Sequence, residues 1–265
     1  MKKVSAYFKV ANLSFQNQME YKMNFLLSFA FKLIPFVINI LVWLAVTSAG
    51  SFSMTQSEII TYYAISLITS NLIICSIQYE VSDDIRNGTI NKYLIKPISY
   101  FGFQFMKDFS SRIIFIFLGI IPVILVLIAL RNMIVFHFNF IFLVLYIVSL
   151  IIGYIINFLL SFLLSELSFY FTNVNVFFST TDVMKNIVSG AIFPLALLPL
   201  GIQNILMYLP FSYIGYFPTV ILLHQFTFEE TLIKLFIGVI WCLLLAILCK
   251  MIWSKGISKY SSFGG

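Results

Sequence analysis

Ionisable side chains that could do chemistry or grip a partner gather in one stretch of this chain, residues 80–112, EVSDDIRNGTINKYLIKPISYFGFQFMKDFSSR. Asp83 and Asp84 form an adjacent acidic pair, and Arg86, Lys92, Lys96, Lys107 and Arg112 supply positive charge. Paired acids are what a membrane-embedded transferase, processing lipids through bound Mg²⁺, would require. Asp83-Asp84 is the pair such an enzyme would have to use. The other use of such a stretch is recognition, because a charged segment in a protein that otherwise avoids charge offers a surface to a soluble partner. An ion-coupled carrier or a scaffolding membrane subunit would use it in neither way.

Other constellations are weak. The chain contains no G-x-x-x-x-G-K-[ST] loop to cradle ATP, no H-E-x-x-H and no G-x-S-x-G elbow. His137 and His224 stand far apart, and Cys75, Cys242 and Cys249 lie in or beside apolar runs at no metal-ligand spacing. They read as boundary and packing residues, with no disulfide framework. Glu58, Glu80, Glu166 and Asp182 fall at the ends of apolar runs, which argues against an ion relay at mid-membrane. No catalytic, cofactor-binding or metal-binding residue is assigned.

The elements that must position the charged stretch are set by composition. Hydrophobic residues make up 61% and charged residues 10%, against roughly 45–50% and 25% in soluble domains. Mean hydropathy is +1.01. A soluble fold of this length could not enclose so many apolar side chains, so lipid supplies the missing environment. About 20 helical residues cross the hydrocarbon core. Six runs qualify, at 24–48, 58–79, 113–130, 138–165, 183–200 and 232–253. None alternates as barrel strands do. The second carries Thr61, Ser66, Thr69, Ser70 and Asn71, which predicts that it faces protein or a water-lined cavity.

With the N-terminus in the cytoplasm, all but Arg131 and Lys234 of the 16 Lys and Arg fall on the inner side. Net charge +6 then reflects topology, not nucleic acid. Lys2 and Lys3 precede an apolar run too long for a signal peptide, so that run reads as a retained span. Before it, Val4, Phe8, Ala11, Phe15 and Met19 share one helical stripe opposite Lys2, Lys9, Gln16 and Glu20, which predicts an interfacial amphipathic helix over 1–22. Pro210 and Pro218, with Gly201 and Gly215, cut residues 201–224 into pieces too short to cross, which predicts two short helices dipping into the outer leaflet. The fold class is therefore an all-α membrane protein: six transmembrane helices, an N-terminal interfacial helix and a re-entrant helical pair between spans five and six.

Within 80–99, Ser82 is placed to cap a short helix with Asp83 and Asp84 in its first turn. Asn87-Gly88 reads as a helix stop or turn. Ile90, Tyr93, Leu94 and Ile95 give an apolar edge, and Pro97 ends the segment. Such a piece can dock into a groove on another protein. It can equally be a solvated loop whose bases only obey topology.

The residues themselves add a resemblance. Arg86-Asn87-Gly88-Thr89-Ile90, followed by Tyr93-Leu94-Ile95-Lys96-Pro97-Ile98-Ser99, resembles the R-x-G-T-(x)n-L-(x)n-P-(I/V)-S signature of ABC-2 family permeases, the membrane subunits of type-2 ABC exporters. Ser189-Gly190-Ala191-Ile192-Phe193-Pro194-Leu195 through Pro199, then Leu209-Pro210-Phe211, resembles that family's fifth span and re-entrant segment. The likeness runs over nearly the whole chain. It implies one transmembrane permease domain over 1–265, with an interfacial helix at 1–22, a cytoplasmic coupling loop at 80–112 and a re-entrant segment at 201–224 that is marked, with its approach, by Gly190, Pro194, Pro199, Pro210 and Pro218. It implies a bacterial half-transporter in the cytoplasmic membrane, with both termini inside. The chain would pair with a second copy or a homologous permease, sit among membrane lipids, and export an amphipathic, lipid-like or peptide cargo. A separate ABC ATPase dimer would hold ATP and Mg²⁺, and this chain would bind no cofactor. The ATPase-coupling role carries over to Ser82, Asp83, Asp84, Arg86, Gly88, Thr89, Tyr93, Lys96 and Pro97. A second contact near Glu166–Asp182 is expected without a motif to support it.

Overall fold

A computed structural model of the chain describes residues 2–49, 55–96, 98–135, 138–192 and 194–260. Pro97, His137 and Phe193 lie outside them, as do the side chains of Lys2, Lys3, Lys22, Lys32 and Leu94. The described residues are mostly helical, with no strand among them. The α-helices are α1 (Lys2–Glu20), α2 (Lys22–Ala49), α3 (Gln56–Ile73), α4 (Ile77–Arg86), α5 (Asn91–Leu94) and α6 (Tyr100–Ile114). A π-helical stretch, Phe115–Gly119, leads into α7 (Ile120–Ala129). Then come α8 (Phe140–Ser165), α9 (Asn175–Val188), α10 (Leu200–Tyr208), α11 (Tyr216–Leu222) and α12 (Phe228–Lys259), with 3-10 turns at Glu166–Phe169, Leu195–Leu197 and Pro210–Ile214.

Two helix starts carry complete capping boxes, in which a Thr hydroxyl and a Glu carboxylate three residues on satisfy each other's backbone N–H. Thr55 with Glu58 opens α3, and Thr227 with Glu230 opens α12. The adjacent acids Glu229 and Glu230 are thereby explained as the first turn of α12, where negative charge meets the positive helix end.

Four helical stretches are long and apolar enough to cross a membrane: Leu26–Val46, Gln56–Arg86, Phe140–Phe169 and Phe228–Lys259. A fifth is the bent pair Tyr100–Gly119 and Ile121–Ala129, inclined at 49°. The bend coincides with the π-helical stretch and with Pro122, which lacks the N–H that would continue the ladder. Five of the expected runs thus correspond to these stretches, and the helices reach past several of them: α6 begins at Tyr100, well ahead of residue 113, and α12 runs to Lys259. The run expected at 183–200 is not one helix. α9 stops at Val188, and Gly190, with φ +79°, turns the chain away. A Cβ at Gly190 would lie 2.9 Å from both Tyr216 Cβ and Tyr62 Oη. Apolar composition alone does not register a positive-φ stop of this kind.

Around it the backbone is held by two side chains and one main-chain N–H. Tyr62 Oη donates to the Gly190 carbonyl (2.7 Å), Tyr63 Oη to the Ile192 carbonyl (2.6 Å), and the Tyr216 N–H to the Ser189 carbonyl (2.7 Å). Pro194 and Pro199 precede short helical turns, Pro210 opens another, and Pro218 lies buried within α11. Residues 200–222 therefore form short helices divided at Pro210 and Gly215, whereas Gly201 and Pro218, expected as breaks, lie inside α10 and α11. At about 1.5 Å per residue none is long enough to cross. α8 is the central post: it packs against α4, α11 and α12, and its buried face joins Phe158 and Phe162 to Tyr213 and Phe217 in one cluster. A second cluster joins α2 and α3 to Tyr216 and Val220. α2 and α12 leave most of their apolar surface facing outward, whereas α3 is largely enclosed. α1 lies along α6, through Tyr7 Oη at Ser99 (3.1 Å), the Ser110 hydroxyl donating to the Ala11 carbonyl (2.9 Å), and the Phe15 and Phe117 rings.

Candidate functional site

The charged segment begins at a break. Residues 74–76 leave the helical ladder between α3 and α4, which exposes carbonyls that lipid cannot satisfy. Side chains from two other helices take them. Arg112 donates to the Asn71 carbonyl (3.2 Å), Asn157 to that of Ile73 (3.0 Å), and Ser161 to that of Cys75 (3.3 Å). Arg112 is itself held by Asp108 at 3.0 Å. α4 is in this way set apart from α3 without leaving the bundle.

The expected cap is not where the sequence places it. α4 starts at Ile77, so Ser82 sits inside the helix, fully buried, and accepts a hydrogen bond from Ser168 Oγ at 2.7 Å. Asp83 and Asp84 consequently fall in the last turn of α4, not in the first turn of a new helix. The apolar α4 face of Ile77, Val81 and Ile85 is what extends the helix backwards past Ser82, by burying it against α8 and the 166–169 turn. Ser82 is a packing contact.

Asp84 organises the turn that follows. One of its carboxylate oxygens accepts from the Thr89 hydroxyl and the other from Tyr100 Oη (2.6 Å). With Asp84 engaged by Thr89 and Tyr100, the two acids do not act as a converging pair. The Asn87 N–H returns to the Asp83 carbonyl (2.9 Å) and the Ile90 N–H to that of Asp84 (3.0 Å). Gly88 takes φ +75°, as the Asn-Gly signal predicts. A Cβ there would meet only Tyr260 Oη, at 3.8 Å. The expected apolar edge is divided: Ile90 is fully buried and Ile95 points outward, 87% exposed. Tyr93 lies between, its ring 5.3 Å from Tyr100 and 4.6 Å from Phe103, with the Lys96 ammonium 4.9 Å from its centroid. Burial raises the Tyr93 phenol above its usual range, with the charges of Asp84 and Glu80 adding to the effect. It therefore stays neutral. Asp83, Arg86, Lys92 and Lys96 remain exposed.

Three elements brace this turn from behind. Tyr260, just past α12, donates to the Ile85 carbonyl (2.9 Å). Glu80 pairs with Lys107 of α6. Asp182 of α9 accepts from Gln78 and Tyr79, each at 3.1 Å at the nearest, and pairs with Lys185 at 2.9 Å. The Glu166–Asp182 region expected as a second contact is thus packed on α4 itself. Within it Glu166 is fully buried, and neither carboxylate oxygen has a hydrogen-bond partner. Arg86 and Asn87 share a groove of about 390 Å³ with Ser168, Tyr170 and Lys259.

The break also borders an internal cleft. Two cavities of about 300 and 290 Å³ share Ser70, Ile74, Asn186 and Ala191 in their walls. Ser66 and Asn71 line the first, and Asp182 and Lys185 the second. Among the polar residues noted in the second run, Thr61, Ser66, Thr69 and Asn71 are buried, so that run faces protein and a cavity as expected. Among the donors that make the break possible, Arg112 reads from the sequence only as one of the positive charges of 80–112, and Asn157 and Ser161 do not stand out. Their signal is a strong donor at the edge of, or inside, an otherwise apolar run.

No curated protein sequence matches the chain significantly. A family model described as "ABC-2 family transporter protein" matches residues 29–264, most of its length. With several apolar helices and the R-x-G-T turn built around Asp84 and Gly88, the chain belongs to the ABC-2 transporter family and is a multi-pass membrane transport subunit.

Proposed function

We propose that this chain is the permease half of an ATP-driven exporter, and that the turn after α4 docks a separate ABC ATPase dimer. The observation that carries the reading is the division of labour within that turn. Asp84, Thr89, Tyr100 and Ile90 lock it from inside, while Asp83, Arg86 and Lys92 are left exposed beside an open groove. A locked turn presenting unpaired charge transmits force, whereas a solvated loop absorbs it.

The mechanism follows from where the backbone is interrupted. A push on the turn moves α4, which is bonded to α9 through Asp182 and anchored to the end of α12 through Tyr260. α4 can shift relative to α3 at residues 74–76, and that joint lines the polar cleft. ATP bound by the partner closes the ATPase dimer, and differential binding free energy biases the permease between inward- and outward-open states. ATP and Mg²⁺ belong to the partner, and this chain contributes no cofactor and no catalytic group. In this reading six crossings are completed by α9 with the broken 189–222 segment re-entering from the outer side. α1 lies at the inner interface, both termini are cytoplasmic, and a second copy or related permease faces the cleft in the bacterial cytoplasmic membrane. The cargo is amphipathic: a lipid-like molecule or an apolar peptide suits a polar cleft walled by apolar helices.

Purification with the co-expressed ATPase tests this. Arg86→Glu should release the ATPase from solubilised permease while leaving permease yield unchanged. Retention of the ATPase by both Arg86→Glu and Asp83→Lys would refute the assignment.

A further inference from the structure

A second site lies on the outer flank of the same turn. The start of α6, the lower half of α8 and the last third of α12 leave a slot of about 440 Å³ between them. Its walls are apolar and aromatic: Tyr93, Phe101, Leu159, Phe162 and Trp253. Trp253 is fixed there by Tyr100, stacked at 5.6 Å, and by Phe162 at 5.1 Å. Ala246, Lys250 and Trp253 also line it, at i, i+4 and i+7 of one α12 face. A small exposed residue leaves the slot open, an exposed base lies one turn on, and an aromatic forms a wall. Lys250 is exposed, and no acidic side chain pairs with it among the described residues. Lys96, beside the slot on Tyr93, likewise faces no acid.

Depth identifies the occupant. Leu159 and Phe162 lie six and three residues before the end of α8 at Ser165, or about 5–9 Å of helix. That is the level at which tryptophan and lysine gather at a membrane boundary, where acyl chains meet phosphates. We propose that the slot binds one acyl chain of an anionic phospholipid, with the phosphate against Lys250. A zwitterionic lipid offers the same chain but carries a compensating ammonium. A protein helix would need an acid to meet Lys250 and would have to displace lipid from an apolar groove. Because Tyr93, Ile98, Ser99 and Tyr100 form the loop-side wall, an occupied slot braces the segment that Asp84 locks from the other side.

Trp253 reports on its own site. The chain has 3 tryptophans. In a Trp43→Phe, Trp241→Phe background only Trp253 fluoresces, and brominated acyl chains quench it on contact. The full-length chain is reconstituted in vesicles where either phosphatidylglycerol or phosphatidylcholine carries the bromine, at equal bromolipid fraction. Half-quenching should require about fivefold less bromo-phosphatidylglycerol, the preference one lysine gives for an anionic headgroup. Lys250→Gln should equalise the two lipids, and Ala246→Leu, which narrows the opening, should lower quenching by both. Equal quenching in the parent protein overturns the proposal. So does a preference that survives Lys250→Gln, quenching unaffected by Ala246→Leu, or no quenching by either lipid, as when protein covers the slot. None of these readings depends on ATPase docking, so the two ideas fail separately.

Discussion

Gly88 is the position where the coupling argument can be put in numbers. Its φ of +75° lies in the left-handed region, and an added Cβ would find no atom closer than Tyr260 Oη at 3.8 Å. A Cβ here meets backbone strain and no steric clash. For alanine the cost is about 1–2 kcal/mol, a factor of about 5–30 in the population of the formed turn. Valine, whose branched Cβ makes positive φ a genuine outlier, should cost more, and asparagine, which visits this region readily, should cost less. The order of damage should be asparagine, then alanine, then valine. The losses should appear in ATPase retention and in ATP hydrolysis per assembled complex, because the turn is local and its loss leaves the helices of the bundle intact. Membrane insertion, measured as permease recovered in the membrane fraction, should be the same for all three. Valine behaving like the parent would refute the claim that the turn must be formed. Asparagine damaging the protein as much as valine would show that small size, not backbone angle, is what the position requires.

Three further outcomes follow. Asn157→Leu leaves the Ile73 carbonyl without a donor at the α3–α4 break and should lower stability by about 1–3 kcal/mol, read as a drop in melting temperature in detergent. Gly190→Ala combines a φ of +79° with 2.9 Å approaches to Tyr216 and Tyr62. It should cost more than Gly88→Ala and reduce recovery of folded protein, checked by size-exclusion chromatography. Glu166→Leu replaces a buried carboxyl group whose oxygens have no partner with an apolar side chain of similar size. It should raise the melting temperature, since burying an unsatisfied polar group is costly, and a lower one would point to a partner for that group in the assembled transporter.

The helical membrane class was legible because it rests on run length and composition, which survive any packing. The turn at Gly88 was legible because Asn-Gly followed by Thr specifies it locally. What escaped was decided by contacts distant in sequence. Ser82 looks like a cap until Ile77, Val81 and Ile85 are buried against α8, and then the helix starts earlier. The break at 74–76 contains no proline or glycine, and its donors arrive from Arg112, Asn157 and Ser161. The run at 183–200 is apolar enough to cross, yet Tyr62, Tyr63 and Tyr216 capture its carbonyls around Gly190 and stop the helix. Within residues 80–99 the sequence named the residues but could not sort them: Asp84 and Thr89 turn inward, while Asp83 and Arg86 stay outside.

The central claim is that this outer side of the turn is gripped by another protein's nucleotide-driven subunit. A photo-crosslinking amino acid placed at Arg86 or Asn91, with Glu229 at the far end of α12 as control, tests it most directly. The account predicts an adduct of permease plus ATPase from both turn positions and none from position 229. No ATPase adduct at the turn, or one at position 229 alone, would contradict it.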